Sequence, residues 1–193
     1  MNQFKLYLEL GFQHISDING IDHMLFIAAL CLKYNWKQWK TLLWLVTAFT
    51  VGHSLTLALS VWNVVDIPVK YIEFLIPVTI LATALTNVLA VKEKKQNRWS
   101  LIYFFTLFFG LIHGLGFSNY LKSLLGKETS ILLPLGAFNI GLEIGQLFIV
   151  LALLIISSIT LGIFRIQKQS YFTWISGGIS FLAIEMIIQR FPW

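Results

Sequence analysis

Four histidines, His14, His23, His53 and His113, stand in or beside long apolar stretches, together with the carboxylates Asp17, Asp22, Glu143 and Glu185. Imidazole and carboxylate groups gathered in one place do two kinds of chemistry. They hold borderline divalent ions such as nickel, zinc or cobalt, or they support a metal-activated water. The single cysteine, Cys31, permits neither a thiolate cluster nor an internal disulfide, so any metal is held by nitrogen and oxygen. An ionisable group at the centre of a bilayer costs about 2.5 to 3.5 kcal/mol on insertion scales, so each one asks for a reason. Taken singly, an intramembrane histidine is more often an interhelical hydrogen-bonding residue than a ligand. Four of them with Asp22 and Glu143 in one half of a small bundle point to a functional site.

That the surroundings are lipid follows from composition. The chain has 193 residues, of which 57% are hydrophobic and only 12% charged, and its mean hydropathy is +0.76. Soluble domains carry charge on about a quarter of their residues. A cytosolic enzyme, a disordered protein and a nucleic-acid binder are excluded on this ground, and the net charge of +5 becomes an orientation signal. The chain is expected to be a single all-α membrane domain over 1–193. Residues 1–16 form an amphipathic helix in the interface, with Phe4, Tyr7, Leu8, Phe12 and Ile15 on one face and Lys5, Glu9 and Gln13 on the other. It lacks the uninterrupted apolar core and the cleavage site of a secretory signal. Six spans follow, at about 20–34, 39–62, 68–91, 99–121, 131–164 and 171–188. The first is short, so its first turn is expected to start inside the membrane. Nine Lys and Arg fall in the connections on one side and five on the other. The richer side is expected to be cytoplasmic, with both termini outside the cell (inner) membrane.

On this topology His53 and His113 lie at matching depths, while His14, Asp17, Asp22 and His23 lie at the outer mouth. Glu143 falls near the midplane and Glu185 in the outer part of the last span. Asn139, Glu143 and Gln146 share one stripe of the fifth span, and Ala137, Gly141 and Gly145 form a small-residue row on the other side. Ser54 follows His53 and is expected to support it. Gly110 and Gly114 allow a close approach, and Gly114 with Gly116 is expected to loosen the helix around His113. Thr79, Thr83, Thr86 and Asn87 line a stripe that either borders a path or bonds back to its own backbone. Phe49 to Leu57 and Phe109 to Phe117 echo each other, with an aromatic residue four places before each histidine and small residues one and three places after it.

Three function classes suit these residues. A permease passes a divalent transition ion inward from His23, His53 and His113, assisted by Asp22, Glu143 and His14, with Asn139, Gln146, Asp17, Ser54 and Glu185 in support. A zinc-dependent intramembrane hydrolase uses the same cluster to activate water. A sensor or assembly partner binds metal without turnover. Glycine-weakened helices and polar residues on both sides of the midplane favour transport. No phosphate-binding G-x-x-x-x-G-K-[ST] run occurs.

Five segments carry a resemblance. They are Gly11 to Ile15 around His14, Gly20 to Phe26 around Asp22 and His23, Thr47 to Leu57 around His53, Phe109 to Phe117 around His113, and Phe138 to Gln146 around Asn139 and Glu143. In order and spacing the chain resembles the second branch of the HupE/UreJ family of small membrane proteins. The resemblance implies permeation of nickel, or more loosely of a transition metal, connected with maturation of hydrogenase and urease. Metalloenzyme-maturation partners or a homo-oligomer would accompany it. The loop Ser16 to Asn19 is longer than the family's, so either Asp17 is an added ligand or His14 stands apart. The long extracytoplasmic N-terminal extension of many relatives is not found, and the chain is expected to be the bare membrane domain.

Overall fold

The computed structural model describes residues 2–90, 99–125 and 131–193, so the Lys92–Arg98 run and Lys127 lie outside the described residues. Among the described residues the chain is helical throughout, with α1 (Gln3–Ser16), α2 (Ile21–Cys31), α3 (Trp39–Val61), α4 (Val69–Ala90), α5 (Trp99–Leu125), α6 (Leu132–Gly162) and α7 (Lys168–Gln189). Short 3-10 turns occupy Ile18–Gly20 and Trp36–Gln38. Five helical stretches are long and apolar enough to cross a bilayer, namely Trp36–Val61, Val69–Val88, Ile102–Leu125, Leu132–Gly162 and Lys168–Gln189.

The stretch expected as a span from Gly20 to Tyr34 contains the 11-residue α2, which at about 1.5 Å per residue reaches only about 17 Å. The chain leaves the helix after Leu32, and the Asn35 side chain accepts the Lys37 amide at 3.0 Å to start the next turn. Helix α1 has 14 residues, about 21 Å. Neither one covers the roughly 30 Å of hydrocarbon by itself.

The contacts fix how the helices run. Trp36, in the 3-10 turn leading into α3, and Thr47 and His53 on α3 meet Ser158, Glu143 and Phe138 in turn, so α3 and α6 are antiparallel. Gly52 lies against Leu107 and Leu111, and Gly114 against His53 and Thr56, so α3 and α5 are parallel. Leu8 meets Gly141 while Phe12 and Ile15 meet Gly145, so α1 follows the direction of α6. His23 faces His113 and Phe26 faces Phe109, so α2 opposes α5. Helices α1 and α2 therefore run the same way, and Asp17–Gly20 is a break between them rather than a hairpin.

Glycines set the closest approaches. A Cβ on Gly11 would strike the Phe138 carbonyl, and one on Gly141 would strike that of Leu8. The amphipathic α1 accordingly buries Tyr7, Gly11 and Ile15 against α6. A Cβ on Gly52 would meet Leu107, one on Gly110 would meet Phe49, and one on Gly114 would meet His53 and Thr56. The expected loosening around His113 is not found, because α5 runs unbroken through Gly114 and Gly116. Gly110 and Gly114 instead bring the α5 backbone onto that of α3. Helices α4 and α7 form the third close pair.

Candidate metal centre

Each histidine comes from a different helix. His14 is in the last turn of α1 and His23 in the first turn of α2, on either side of the break, while His53 and His113 come from the glycine-packed pair α3 and α5. One ligand nitrogen from each of His14, His23 and His53 lies within 4.8 Å of the others. The His14 ring centroid is 4.7 Å from that of His23 and 5.8 Å from that of His53. His113 closes the group, its ring 5.2 Å from His23.

The surroundings are dry and aromatic. His14 packs 3.9 Å from Phe117, His53 faces Phe138, and Phe26 and Phe49 flank His113. His53 is 0% exposed and His113 1%. In this apolar shell the Nε2 atoms of all four histidines are buried with no hydrogen-bond partner among the described residues. A buried polar atom without a partner costs about 1 to 3 kcal/mol, and four such atoms on neighbouring rings fit a group that supplies the missing bonds. His113 shows how a ring is prepared for this. Its Nδ1 lies 2.9 Å from the Phe109 carbonyl, and since a carbonyl only accepts, the proton sits on Nδ1 and Nε2, which has no partner among the described residues, keeps a free lone pair.

Borderline divalent ions match this donor set, as imidazole suits nickel, zinc and cobalt. The break adds to the match. The C-terminal end of α1 carries partial negative charge beside His14. A depression of about 770 Å³, lined by Gln13, His14, Asp17, Phe117 and Tyr120 among others, opens next to His14.

The other expected residues are distributed around this cluster. Asp22 precedes His23, but its carboxylate is taken by Arg190, with Oδ2 2.7 Å from Nη1. Glu143 accepts the Thr47 hydroxyl at 2.6 Å, and the Gln146 carbonyl accepts that of Thr50 at 2.8 Å. These contacts lie one and two turns before His53 on α3, so the α6 stripe faces α3 beyond the histidines. Asn139 keeps a buried, unpartnered Oδ1 on the same stripe. Asp17 borders the depression. The Ser54 hydroxyl donates to the Thr50 carbonyl. Glu185 is exposed and accepts from Gln189 at 3.1 Å, apart from the cluster. The threonines of α4 bond back to their own helix, and Asn87 donates to the Ala29 carbonyl at 2.6 Å, tying α4 to α2.

Sequence reasoning gave no role to Arg190, Thr47 or Thr50. Thr47 and Thr50 were visible only as members of the segment around His53, and Arg190 only as a basic residue of the outer side. Replacing Thr47 with valine keeps the shape and removes the donor to Glu143. It should cost about 1 to 2 kcal/mol, seen as a lower unfolding temperature in detergent while the histidine cluster still binds metal.

Helices long enough to span, lipid-facing apolar surfaces such as Trp174, Phe148 and Phe181, and an interior histidine cluster define a multi-pass membrane protein with a candidate transition-metal site. The family model described as HupE / UreJ protein matches residues 1–191, and the chain belongs to that family. No curated protein and no solved structure shows a significant match.

Proposed function

We propose that this protein is a permease for a divalent transition ion of the nickel type, bound first by His14, His23, His53 and His113 and passed on toward Glu143. The observation that carries the reading is the gathering of His14, His23 and His53, with ligand nitrogens within 4.8 Å of one another, and of His113, its ring 5.2 Å from His23, each with an unpartnered Nε2 inside an apolar bundle. Family membership supports the same class. Asp22 and Glu143 assist, and Asn139 and Gln146 continue the polar stripe. In this reading α1 and α2 are the two halves of the first of six spans, interrupted where the ion binds, as in transporters whose discontinuous helices hold substrate near the midplane. The excess of basic residues on one side supports a topology with both termini outside the cell membrane.

Transport is favoured over hydrolysis by how the carboxylates are engaged. A hydrolase needs a base beside the metal-bound water, whereas Asp22 is paired with Arg190 and Glu143 with Thr47. Purified protein in vesicles with an entrapped metal-sensitive dye should accumulate nickel, and the His53→Ala variant should not. Metal that stays bound without crossing, while an added lipid or peptide is cleaved, would overturn the permease reading.

Binding should also weaken on acidification. An imidazole ligates only when neutral, and its ordinary pKa is about 6.5. Below the pKa that each imidazole has at the site, affinity should fall about tenfold per pH unit for each imidazole that must lose a proton. Equilibrium dialysis at two acidic pH values checks the slope, and affinity that does not change with pH would mean that the histidines are not the ligands.

A further inference from the structure

Asp22 and Arg190 are 168 positions apart and meet beside the histidine cluster. Arg190 Nη1 donates to Asp22 Oδ2 at 2.7 Å and Nη2 to Oδ1 at 3.4 Å, so both carboxylate oxygens are engaged. The side chains are 12% and 30% exposed. Each charge sits at the helix pole that favours it, because Asp22 is in the first turn of α2 and Arg190 is the C-cap of α7. The next residue after Asp22 is His23, whose Nε2 is unpartnered. A guanidinium thus already holds the acidic group that adjoins His23 in sequence, and the same two oxygens cannot serve it and a metal ion at full strength.

We propose that Arg190 is a built-in counter-cation that competes with the incoming ion for Asp22. Entry of a divalent ion draws the carboxylate off the guanidinium, and the C-terminal turn after α7 is released. Departure of the ion returns Asp22 to Arg190, which favours emptying of the site. The inference rests on the metal-binding reading above and adds to it a device that sets affinity and release. Arg190 acts as a positioning residue, since it touches Asp22 and not the ion. The turn it holds includes Phe191, packed 5.2 Å from Phe74, and ends at Trp193, which is 99% exposed and suited to carry a probe.

The test uses the full chain in detergent, zinc as the diamagnetic probe ion and a spin label on Trp193→Cys, with Cys31 buried away from the label. Coupling between linked sites is usually about 5- to 150-fold, so Arg190→Gln should tighten zinc binding by roughly tenfold or more. That gain should vanish when Asp22→Asn is also present. Arg190→Lys keeps the charge but loses the two-pronged contact, and should bind zinc with intermediate affinity. Zinc should mobilise the label in the parent chain, and Asp22→Asn should mobilise it without zinc. Zinc binding that both Arg190 variants leave unchanged or weaken, with a label blind to zinc, overturns the competition and leaves the metal site standing. A parent chain that binds neither zinc nor nickel overturns both.

Discussion

Replacing His23 with alanine lowers metal affinity by about 100-fold or more. Four-ligand structural zinc sites bind with about 10 to 16 kcal/mol in all, which is roughly 2.5 to 4 kcal/mol per ligand. His23 is the residue that touches every other member of the cluster, with ring centroids 4.7 Å from His14, 6.0 Å from His53 and 5.2 Å from His113. Its loss removes a ligand and separates those three from a shared neighbour. The same change removes a buried nitrogen that has no partner in the metal-free chain, so the fold itself should be little affected or slightly more stable without metal. The two effects have opposite signs. Dialysis against nickel and zinc reads the first, and thermal unfolding with and without metal reads the second. A His23→Ala protein that binds as tightly as the parent would remove His23 from the site.

Replacing Gly141 with alanine should unseat α1. The added Cβ would strike the Leu8 carbonyl, and the Leu8 carbonyl carbon would lie 2.8 Å away. Both are backbone atoms, so no side-chain rotation relieves the clash and the two helices must separate. Overpacking costs typically 1 to 3 kcal/mol, and this contact should lie at about the upper end. Because His14 is on α1, the shift carries it away from His23 and His53, and metal affinity falls with stability. Gly178→Ala is the control, since nothing lies within 4 Å of a Cβ there, and alanine in a helix should gain about 0.5 to 1 kcal/mol over glycine. If both variants unfold together and bind metal alike, the backbone seam between α1 and α6 is not what holds His14.

Much of this arrangement was readable from residue order. The long apolar runs marked α3 to α7 because lipid permits little else, and the Asn139, Glu143, Gln146 stripe opposite Gly141 and Gly145 followed from helical spacing alone. The echo between the segments around His53 and His113 corresponds to two parallel helices in backbone contact. Glycine was the ambiguous letter. At Gly114 it signals either a loosened helix or a close neighbour, and only the neighbour's position decides between them. The interruption lies instead at Asp17–Gly20, where turn-forming residues join two short helices that run the same way. The Asp22 to Arg190 pair was beyond reach, since nothing local to either residue records a partner 168 positions away.

The three close helix pairs have a mechanical consequence. His53 and His113 ride on α3 and α5, whose backbones touch, so they move as one body. His14 rides on the α1 and α6 pair in the same way, and His23 rides on α2, which Asn87 ties to the α4 and α7 pair. A metal ion held by His14, His23 and His53 is therefore a cross-brace between three rigid parts rather than an ornament on one. Loading it would stiffen the whole assembly without bending a helix, and unloading it would free the parts to slide at seams made of side chains.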